Sequence, residues 1–216
     1  KGGGLGEGDG EGEGGGGDLG VGSAARWLQQ LVRGRKVVEL GSGIGLLGLC
    51  LAAAGGHVLL TDVPSVVECT LGPNVEASGP PHHADPQQLG GWREARRVGP
   101  GSAAAQPLDW WKPIEEQRGE NDPREAEVVV AAECVWLREL IEPFVKTVLA
   151  LLRGPQRPRC VLAFRDRSTE TSETFSSLKL VVGAFETAGV VAVPKGVCDA
   201  PESEGLFTSF YELRLA

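Results

Sequence analysis

The stretch Val37-Val-Glu-Leu-Gly-Ser-Gly-Ile-Gly-Leu46 decides the fold of this chain. It begins as an apolar strand and ends as an apolar helix, with Gly41, Gly43 and Gly45 between them. Because a glycine turn carries no side chains, a small polar ligand can approach both the backbone and the helix N-terminus. The stretch therefore predicts a ligand-binding loop at the edge of a sheet.

The remaining sequence alternates short apolar strands with longer helical patterns, which is typical of a parallel sheet with crossover helices. The predicted strands are 36–40, 57–61, 103–108, 127–132, 160–164, 190–193 and 207–215, and the predicted helices are 21–32, 43–54, 65–77, 137–152 and 173–188. Segments 79–102 and 113–125 are predicted loops. No helix joins the last two strands, so the final strand is expected to run antiparallel. We predict an α/β fold with a three-layer, Rossmann-like, seven-stranded sheet, mostly parallel with an antiparallel last strand.

Length and composition limit the number of domains and the kinds of partner. A chain of 216 residues, 41% of them hydrophobic, suits one domain, which we place at 21–216. Residues 1–20 are almost entirely Gly, Glu and Asp and are predicted to be a disordered lead-in. The net charge of -8 argues against nucleic acid and anionic membranes as partners, and the longest apolar run, 46–54, is too short for a membrane helix. Because the sequence contains no Met, we expect the natural N-terminus to lie upstream.

The five cysteines are odd in number, widely spaced and never arranged as CxxC. This pattern favours neither a disulfide framework nor a zinc site, so we expect no metal. A reducing compartment fits such cysteines best. We expect the cytoplasm, with the nucleus as the alternative.

Asp62 and Glu39 indicate which ligand the glycine loop binds. Asp62 ends the second strand, where a carboxylate can accept hydrogen bonds from both hydroxyls of a ribose. The dinucleotide spacing fails because position 46 is Leu, and Glu39 would repel a pyrophosphate. A ligand that carries an ammonium and a sulfonium would be favoured beside this carboxylate. The residues therefore predict S-adenosylmethionine as the cofactor, and not NAD.

Several stretches resemble the eukaryotic methyltransferase-like protein-lysine methyltransferases of the seven-β-strand, class I superfamily. They are Val37–Gly48, Leu60–Pro64 with Glu68, Asn74 and Val75 behind it, Leu108-Asp-Trp110 and Ala131-Ala-Glu-Cys-Val-Trp-Leu137. The resemblance implies an S-adenosylmethionine-dependent methyltransferase, acting as a protein-lysine N-methyltransferase on a non-histone protein that presents a lysine. Two alternatives stay open: a small-molecule N-methyltransferase, and a catalytically silent scaffold that binds the cofactor.

The resemblance also assigns residues to the cofactor site. They are Gly41, Gly43, Gly45, Asp62, Trp110 and Ala132, to which the charge argument adds Glu39. Trp110 makes independent sense as a stacking face at the edge of an adenine pocket, although it could instead be a core Trp, and the adjacent Trp111 is an alternative stacker.

After the fourth strand the family commonly has Asp-x-x-Tyr, whereas this chain has Glu133-Cys-Val-Trp136. The acid and the aromatic face remain, but the phenolic hydroxyl is absent. We predict that Glu133 and Trp136 are catalytic and shape the acceptor-amine site, since Glu133 can help an ammonium lose its proton and Trp136 can hold it by a cation–π contact. The alternative is that Glu133 caps the following helix and Trp136 packs beneath it. A second departure is Gly22, where the family usually has a Trp that touches the cofactor.

Overall fold

The computed structural model of the chain describes residues 21–82, 91–117, 119–166, 173–199 and 207–216. The predicted lead-in, residues 1–20, lies outside these ranges. The helices are α1 (Val21–Val32), α2 (Leu46–Ala53), α3 (Pro64–Val66), α4 (Gly72–Ala77), α5 (Ile141–Leu152) and α6 (Leu178–Thr187). The strands are β1 (Lys36–Leu40), β2 (His57–Asp62), β3 (Arg96–Val98), β4 (Gly101–Pro107), β5 (Val128–Ala132), β6 (Arg159–Arg165), β7 (Val190–Asp199) and β8 (Phe207–Leu215).

The strands form one sheet in the order β3-β4-β2-β1-β5-β6-β8-β7. Strands β4, β2, β1, β5 and β6 pair in parallel, and β8 runs antiparallel between β6 and β7. The predicted Rossmann-like sheet, mostly parallel with an antiparallel last strand, is confirmed. Because β1 pairs with both β2 and β5, the strand order reverses at β1, and ligands of such sheets bind beyond the carboxyl ends of the strands at that point.

The predicted count of seven strands was wrong, because the described residues form eight. The extra strand, β3, lies in the segment 79–102 that was predicted as loop, and it pairs antiparallel with β4. Gly99, at φ 58, and Pro100 form the two-residue turn between them. A three-residue edge strand is too short to show an apolar alternation. Strand β7 is also longer than the predicted strand 190–193. Its pairing with β8 shifts register between Pro194 and Gly196, and the strand then continues to Asp199.

The helix predicted at 65–77 is not one regular helix. A π-helical segment, Val67–Leu71, separates α3 from α4. The helix predicted from residue 137 begins instead with a 3₁₀ turn at Arg138–Leu140, and α5 follows it. The helix predicted from residue 173 begins at Leu178, where the side chain of Ser177 caps the N-terminus by accepting from the Leu180 amide. These differences change element ends and leave the architecture unchanged.

Helices cover both faces of the sheet and give the predicted three layers. One face packs against α5 and α6 through Phe144, Leu151 and Phe185, and the other packs against α1, α2 and α4. Strand β1 is buried on both faces. Val38 belongs to the core on the side of α5 and α6, and Val37 belongs to the core on the side of α1, α2 and α4. Such double burial is typical of central parallel strands. In the described part of the chain, no helix has both the length and the apolar character needed to cross a membrane.

Candidate functional site

The glycine loop after β1 has a backbone that favours glycine at three positions. Gly41, Gly43 and Gly45 have φ angles of 67°, 56° and 88°. A β-carbon at Gly41 would lie 2.5 Å from Cβ of Cys134, and one at Gly45 would lie 2.8 Å from Cδ1 of Leu71. A β-carbon at Gly43 would meet no atom within 4 Å. Packing therefore requires glycine at the first and third positions, whereas only the backbone angle favours it at the second.

Asp62, at the end of β2, is hydrogen-bonded to the glycine loop. The Gly43 amide donates to Oδ2 of Asp62 at 2.8 Å, and the Val63 amide donates to Oδ1 at 2.8 Å. The Ser42 amide also donates to the carbonyl oxygen of Thr61 at 2.9 Å. Each carboxylate oxygen keeps a further lone pair, so Asp62 can still accept hydrogen bonds from a ligand while it holds the loop.

Glu39 is a buried carboxylate beneath the loop. It is 3% exposed, and its Oε2 atom has no hydrogen-bond partner among the described residues. Burial, and to a smaller extent the Asp62 charge, raise the pKa of Glu39 to about 7, although hydrogen bonds from the Ser42 hydroxyl and the Gly48 amide oppose the rise. A buried carboxylate oxygen without a hydrogen-bond partner is costly, and a cationic ligand group would reduce that cost. The site therefore fits a cofactor that carries an ammonium.

Gly48 is a site residue that the sequence did not single out. A β-carbon there would lie 2.5 Å from Oε2 of Glu39, so glycine on α2 leaves the room that this carboxylate occupies. The signal that could have found it was the continuation of the glycine pattern into the helix, Gly-Leu-Leu-Gly at 45–48.

Trp110 and Trp111 both line the cavity beside the glycine loop. This cavity has a volume of about 330 Å³, and its walls include Gly41, Gly43, Asp62, Glu133 and Trp136. Trp110 packs against Phe144 with ring centroids 5.1 Å apart, and its buried Nε1 has no partner among the described residues. Trp111 is 65% exposed. Trp110 is thus the anchored indole of the two.

Ala132 does not line this cavity. Side chains alternate along β5, so Ala131 packs in the layer that contains Trp110, whereas Ala132 lies on the opposite face. There it lines a separate apolar cavity of about 360 Å³ beneath α1, together with Leu28, Val161 and Phe210. Ala132 therefore lies outside the cavity that is lined by Gly41, Gly43, Asp62 and Trp110.

Glu133 lies at the junction of three cavities. It lines the glycine-loop cavity, the cavity beneath α1 and a third cavity of about 460 Å³ that includes Trp136 and Phe175. Its φ of 55° is uncommon for a residue other than glycine, and its amide donates to the carbonyl oxygen of Ala163 at 3.1 Å. Such backbone conformations concentrate at functional sites.

The helix-capping alternative for Glu133 and Trp136 was wrong. The 3₁₀ turn before α5 has Leu137 as its N-cap, α5 itself has Leu140, and neither cap has a side-chain hydrogen bond. Glu133 therefore precedes the helix by too many residues to cap it. Trp136 is 55% exposed and does not pack beneath the helix.

Trp136 instead faces Phe175, which sequence reasoning missed. Their ring centroids lie 6.5 Å apart, and the Ser176 amide donates to the carbonyl oxygen of Trp136 at 2.9 Å. The segment after β5 is thereby tied to the segment after β6. No periodic pattern marks Phe175, so the sequence carries no signal for this pairing.

In the described part of the chain, the cysteines and the potential metal ligands do not form a disulfide or a metal site. All five cysteines of the chain lie in the described ranges, and none of them forms a disulfide bond. Burial raises the pKa of the Cys134 thiol well above its ordinary value, so this thiol stays protonated beside Gly41. Among the residues that the structure describes, no group of three or more His, Cys, Asp or Glu side chains could hold a metal ion.

The chain is similar in sequence to known methyltransferases. The sequence profile of the lysine methyltransferase family matches residues 22–181. Protein-lysine N-methyltransferase EFM6 of Saccharomyces cerevisiae is 29% identical over 152 residues, which is 67% of this chain and 55% of that protein. Protein N-lysine methyltransferase METTL21A of Mus musculus is 29% identical over 117 residues, 54% of this chain and 44% of that protein. The matched part of the chain thus spans about half the length of these relatives.

Solved structures show the same fold at low identity. Magnesium protoporphyrin IX methyltransferase from Synechocystis PCC 6803, solved with bound SAH, has a TM-score of 0.55 at 14% identity and covers 91% of this chain and 82% of its own. An S-adenosylmethionine-dependent methyltransferase from Aquifex aeolicus has a TM-score of 0.55 at 14% identity, covering 91% of both chains. With the profile match over most of the chain, the methyltransferase fold and the glycine loop lead to one assignment: the chain belongs to the lysine methyltransferase family.

Proposed function

We propose that this chain is an S-adenosylmethionine-dependent protein-lysine N-methyltransferase that acts on a non-histone protein. The observation that carries the proposal is the position of Glu133, which lines both the cavity beside the glycine loop and the aromatic cavity of Trp136 and Phe175. A methyl transfer needs a donor and an acceptor that meet at one point, and this residue lies between the two cavities.

The glycine-loop cavity and the buried carboxylate beneath the loop supply the groups that S-adenosylmethionine needs. Glu39 would hold its ammonium, Asp62 its ribose hydroxyls, and Trp110 would line the adenine pocket. The Gly41 and Gly43 backbone leaves this approach open, since no side chain projects from the loop there. When bound, the cofactor supplies an electrophilic methyl group.

Glu133 and Trp136 would prepare the acceptor. A lysine amine has a reference pKa of about 10.4, so it must lose a proton before it can attack. At the junction of the cavities, Glu133 can balance the charge of the lysine ammonium or accept its proton. Trp136 and Phe175 can pack on the apolar stem of the lysine. The missing phenolic hydroxyl is not required for either role.

The rim of the site favours a protein over a small amine as substrate. Six of the ten large hydrophobic side chains that are exposed in the described part of the chain follow the carboxyl ends of β1, β2, β4, β5 and β6. They are Ile44, Leu46, Val63, Trp111, Trp136 and Phe175. Exposed apolar side chains around a cavity are typical of a protein–protein contact, whereas a metabolite would be bound by the cavity alone.

Label transfer tests the proposal. The purified chain is incubated with tritiated S-adenosylmethionine and a cell extract, and the products are separated on a gel. We expect label in a discrete protein band, and weaker label with Asp62→Ala. Label confined to the low-mass fraction would contradict a protein substrate in favour of a small amine, and no label despite measurable cofactor binding would indicate a silent scaffold.

We also propose that the protein acts in the cytoplasm, with the nucleus as the second compartment. Five cysteines without a disulfide bond among them support a reducing environment. Imaging of a fluorescent fusion tests this, and a signal confined to a secretory compartment would contradict it.

A further inference from the structure

The third cavity, beside Trp136 and Phe175, carries charges of both signs. Its volume is about 460 Å³, and it is lined by Glu133, Val135, Trp136, Phe164, Arg165, Phe175 and Ser176. Glu133 follows β5, and Arg165 is the last residue of β6. Because β5 and β6 are parallel neighbours, their carboxyl ends bring one carboxylate and one guanidinium to the same cavity.

Arg165 is held in place without an acidic partner in the described ranges. It lies opposite Thr208 of β8, and its Nε donates to Oγ1 of Thr208 at 3.2 Å. Among the described residues, no carboxylate lies within ion-pair distance of Arg165, whereas Arg124 and Arg159 each pair with one. The neighbouring Asp166 accepts from the Leu178 amide instead, at 2.9 Å. Within the described ranges, the terminal nitrogens of Arg165 are therefore without an acidic partner.

A guanidinium is out of place in a cavity that receives only a lysine. It would repel an approaching ammonium, unless the same ligand brings an anion that compensates the charge. The planar fork of arginine matches the two oxygens of a carboxylate and does so better than a lysine would.

We propose that Arg165 is a specificity-determining residue that binds an Asp or Glu side chain adjacent to the target lysine of the protein substrate. The inference rests on the proposed function, because it assigns the acceptor lysine to this cavity. The lysine stem packs between Trp136 and Phe175, its amine points toward Glu133, and the neighbouring carboxylate meets Arg165. The cavity thus selects lysines with acidic neighbours and rejects lysines in basic clusters.

A binding experiment tests the carboxylate subsite without any methyl transfer. The probes are two pentapeptides acetylated at the N-terminus, each with an unmodified central lysine. In one the lysine is flanked by aspartates, and in the other it is flanked by asparagines. Each is titrated into the protein with S-adenosylhomocysteine present, and binding is followed by tryptophan fluorescence. We expect the acidic peptide to bind about tenfold more tightly than its amide match, and Arg165→Ala to abolish the difference.

Two further variants complete the test. Arg165→Lys should keep a partial preference, and Arg153→Ala, at an exposed arginine after α5, should keep the whole preference. Equal affinity for the two peptides in the parent protein, no detectable binding of either, or an unchanged preference in Arg165→Ala would each overturn the proposal. A peptide preference that persists while no protein in an extract receives label would leave the subsite standing and contradict the proposed methyltransferase function instead.

Discussion

The amide of Gly43 donates a hydrogen bond of 2.8 Å to Oδ2 of Asp62. This bond joins the loop after β1 to the end of β2, so the residue proposed to bind the ribose also holds the glycine loop. A substitution at Asp62 therefore acts on the cofactor in two ways, through a lost ligand contact and through a loosened loop.

Replacing Asp62 by Ala should weaken S-adenosylmethionine binding by about 1–3 kcal/mol, because a charged hydrogen-bond acceptor is removed. Calorimetric titration measures the change. Glu142→Ala, at an exposed carboxylate that pairs with Lys146 on α5, is the control and should bind as the parent does. Unchanged affinity in a folded Asp62→Ala protein would remove Asp62 from the cofactor site.

Replacing Glu39 by Gln should stabilise the free protein at alkaline pH and weaken cofactor binding. The pKa of Glu39 is raised to about 7 in the fold, above its ordinary value of 4.5. The unfolded chain therefore binds fewer protons between these values, and the free energy of unfolding falls as pH rises through this window. Above pH 7 the variant avoids a cost of about 3 kcal/mol.

Denaturation of the parent and of Glu39→Gln between pH 5 and pH 8 checks this prediction. The two curves should diverge as pH rises, and the difference should shrink when S-adenosylmethionine is added to the parent. A pH-independent difference between them would show that Glu39 does not titrate in this range.

Replacing Trp110 by Ala should lower cofactor affinity more than the same change at Trp111. Trp110 is anchored against Phe144, whereas Trp111 is 65% exposed. The Trp110 change should also lower the free energy of unfolding by about 3–5 kcal/mol, so thermal stability is measured beside binding. The reverse order of affinities would identify Trp111 as the adenine-contacting indole.

Replacing Glu212 by Gln should destabilise the fold by at least about 1 kcal/mol. Burial would raise the pKa of Glu212, but hydrogen bonds from Arg159, Arg214 and Lys195 outweigh it and hold the pKa at about 2. This stabilisation is present above pH 4.5 and is lost as pH falls toward 2. Melting temperatures at pH 7 and pH 3 measure it; an equal melting temperature for parent and variant at pH 7 would contradict the role.

The fold class was predictable because β1, β2 and β5 are short apolar runs that alternate with helical patterns, which is typical of a parallel sheet with crossover helices. Two kinds of feature escaped. Strand β3 is only three residues long and shows no alternation. The contacts of Phe175 and Arg165 depend on which strand ends are neighbours in space, and that information lies in the sheet order, not in local sequence.

The sequence also did not predict which face of the sheet Ala132 occupies. The family resemblance assigned Ala132 to the cofactor site. Because successive side chains of β5 point to opposite faces of the sheet, Ala132 lines the cavity beneath α1 instead. Glu39 was assigned to the cofactor from its charge and its position two residues before Gly41. It is buried beneath the loop with an Oε2 that has no partner among the described residues, and its contact with the cofactor stays a prediction.

Replacing Glu133 by Gln, or Trp136 by Ala, should slow methyl transfer about a hundredfold or more while cofactor affinity stays near the parent value. Single-turnover kinetics with a labelled protein band as substrate measure the rate, and calorimetry measures the affinity. Because both side chains are exposed, melting temperatures should change little. Full activity in both variants would eliminate them from the acceptor site.

Mass spectrometry of extract proteins tests the central claim most directly. The chain and S-adenosylmethionine with a deuterated methyl group are added to a cell extract, and the proteins are digested and sequenced. We expect the deuterated methyl on a lysine side chain of a non-histone protein, and less of it when Asp62→Ala replaces the parent chain. The absence of deuterated lysine from every protein, in an extract where the parent chain binds the cofactor, would contradict the account.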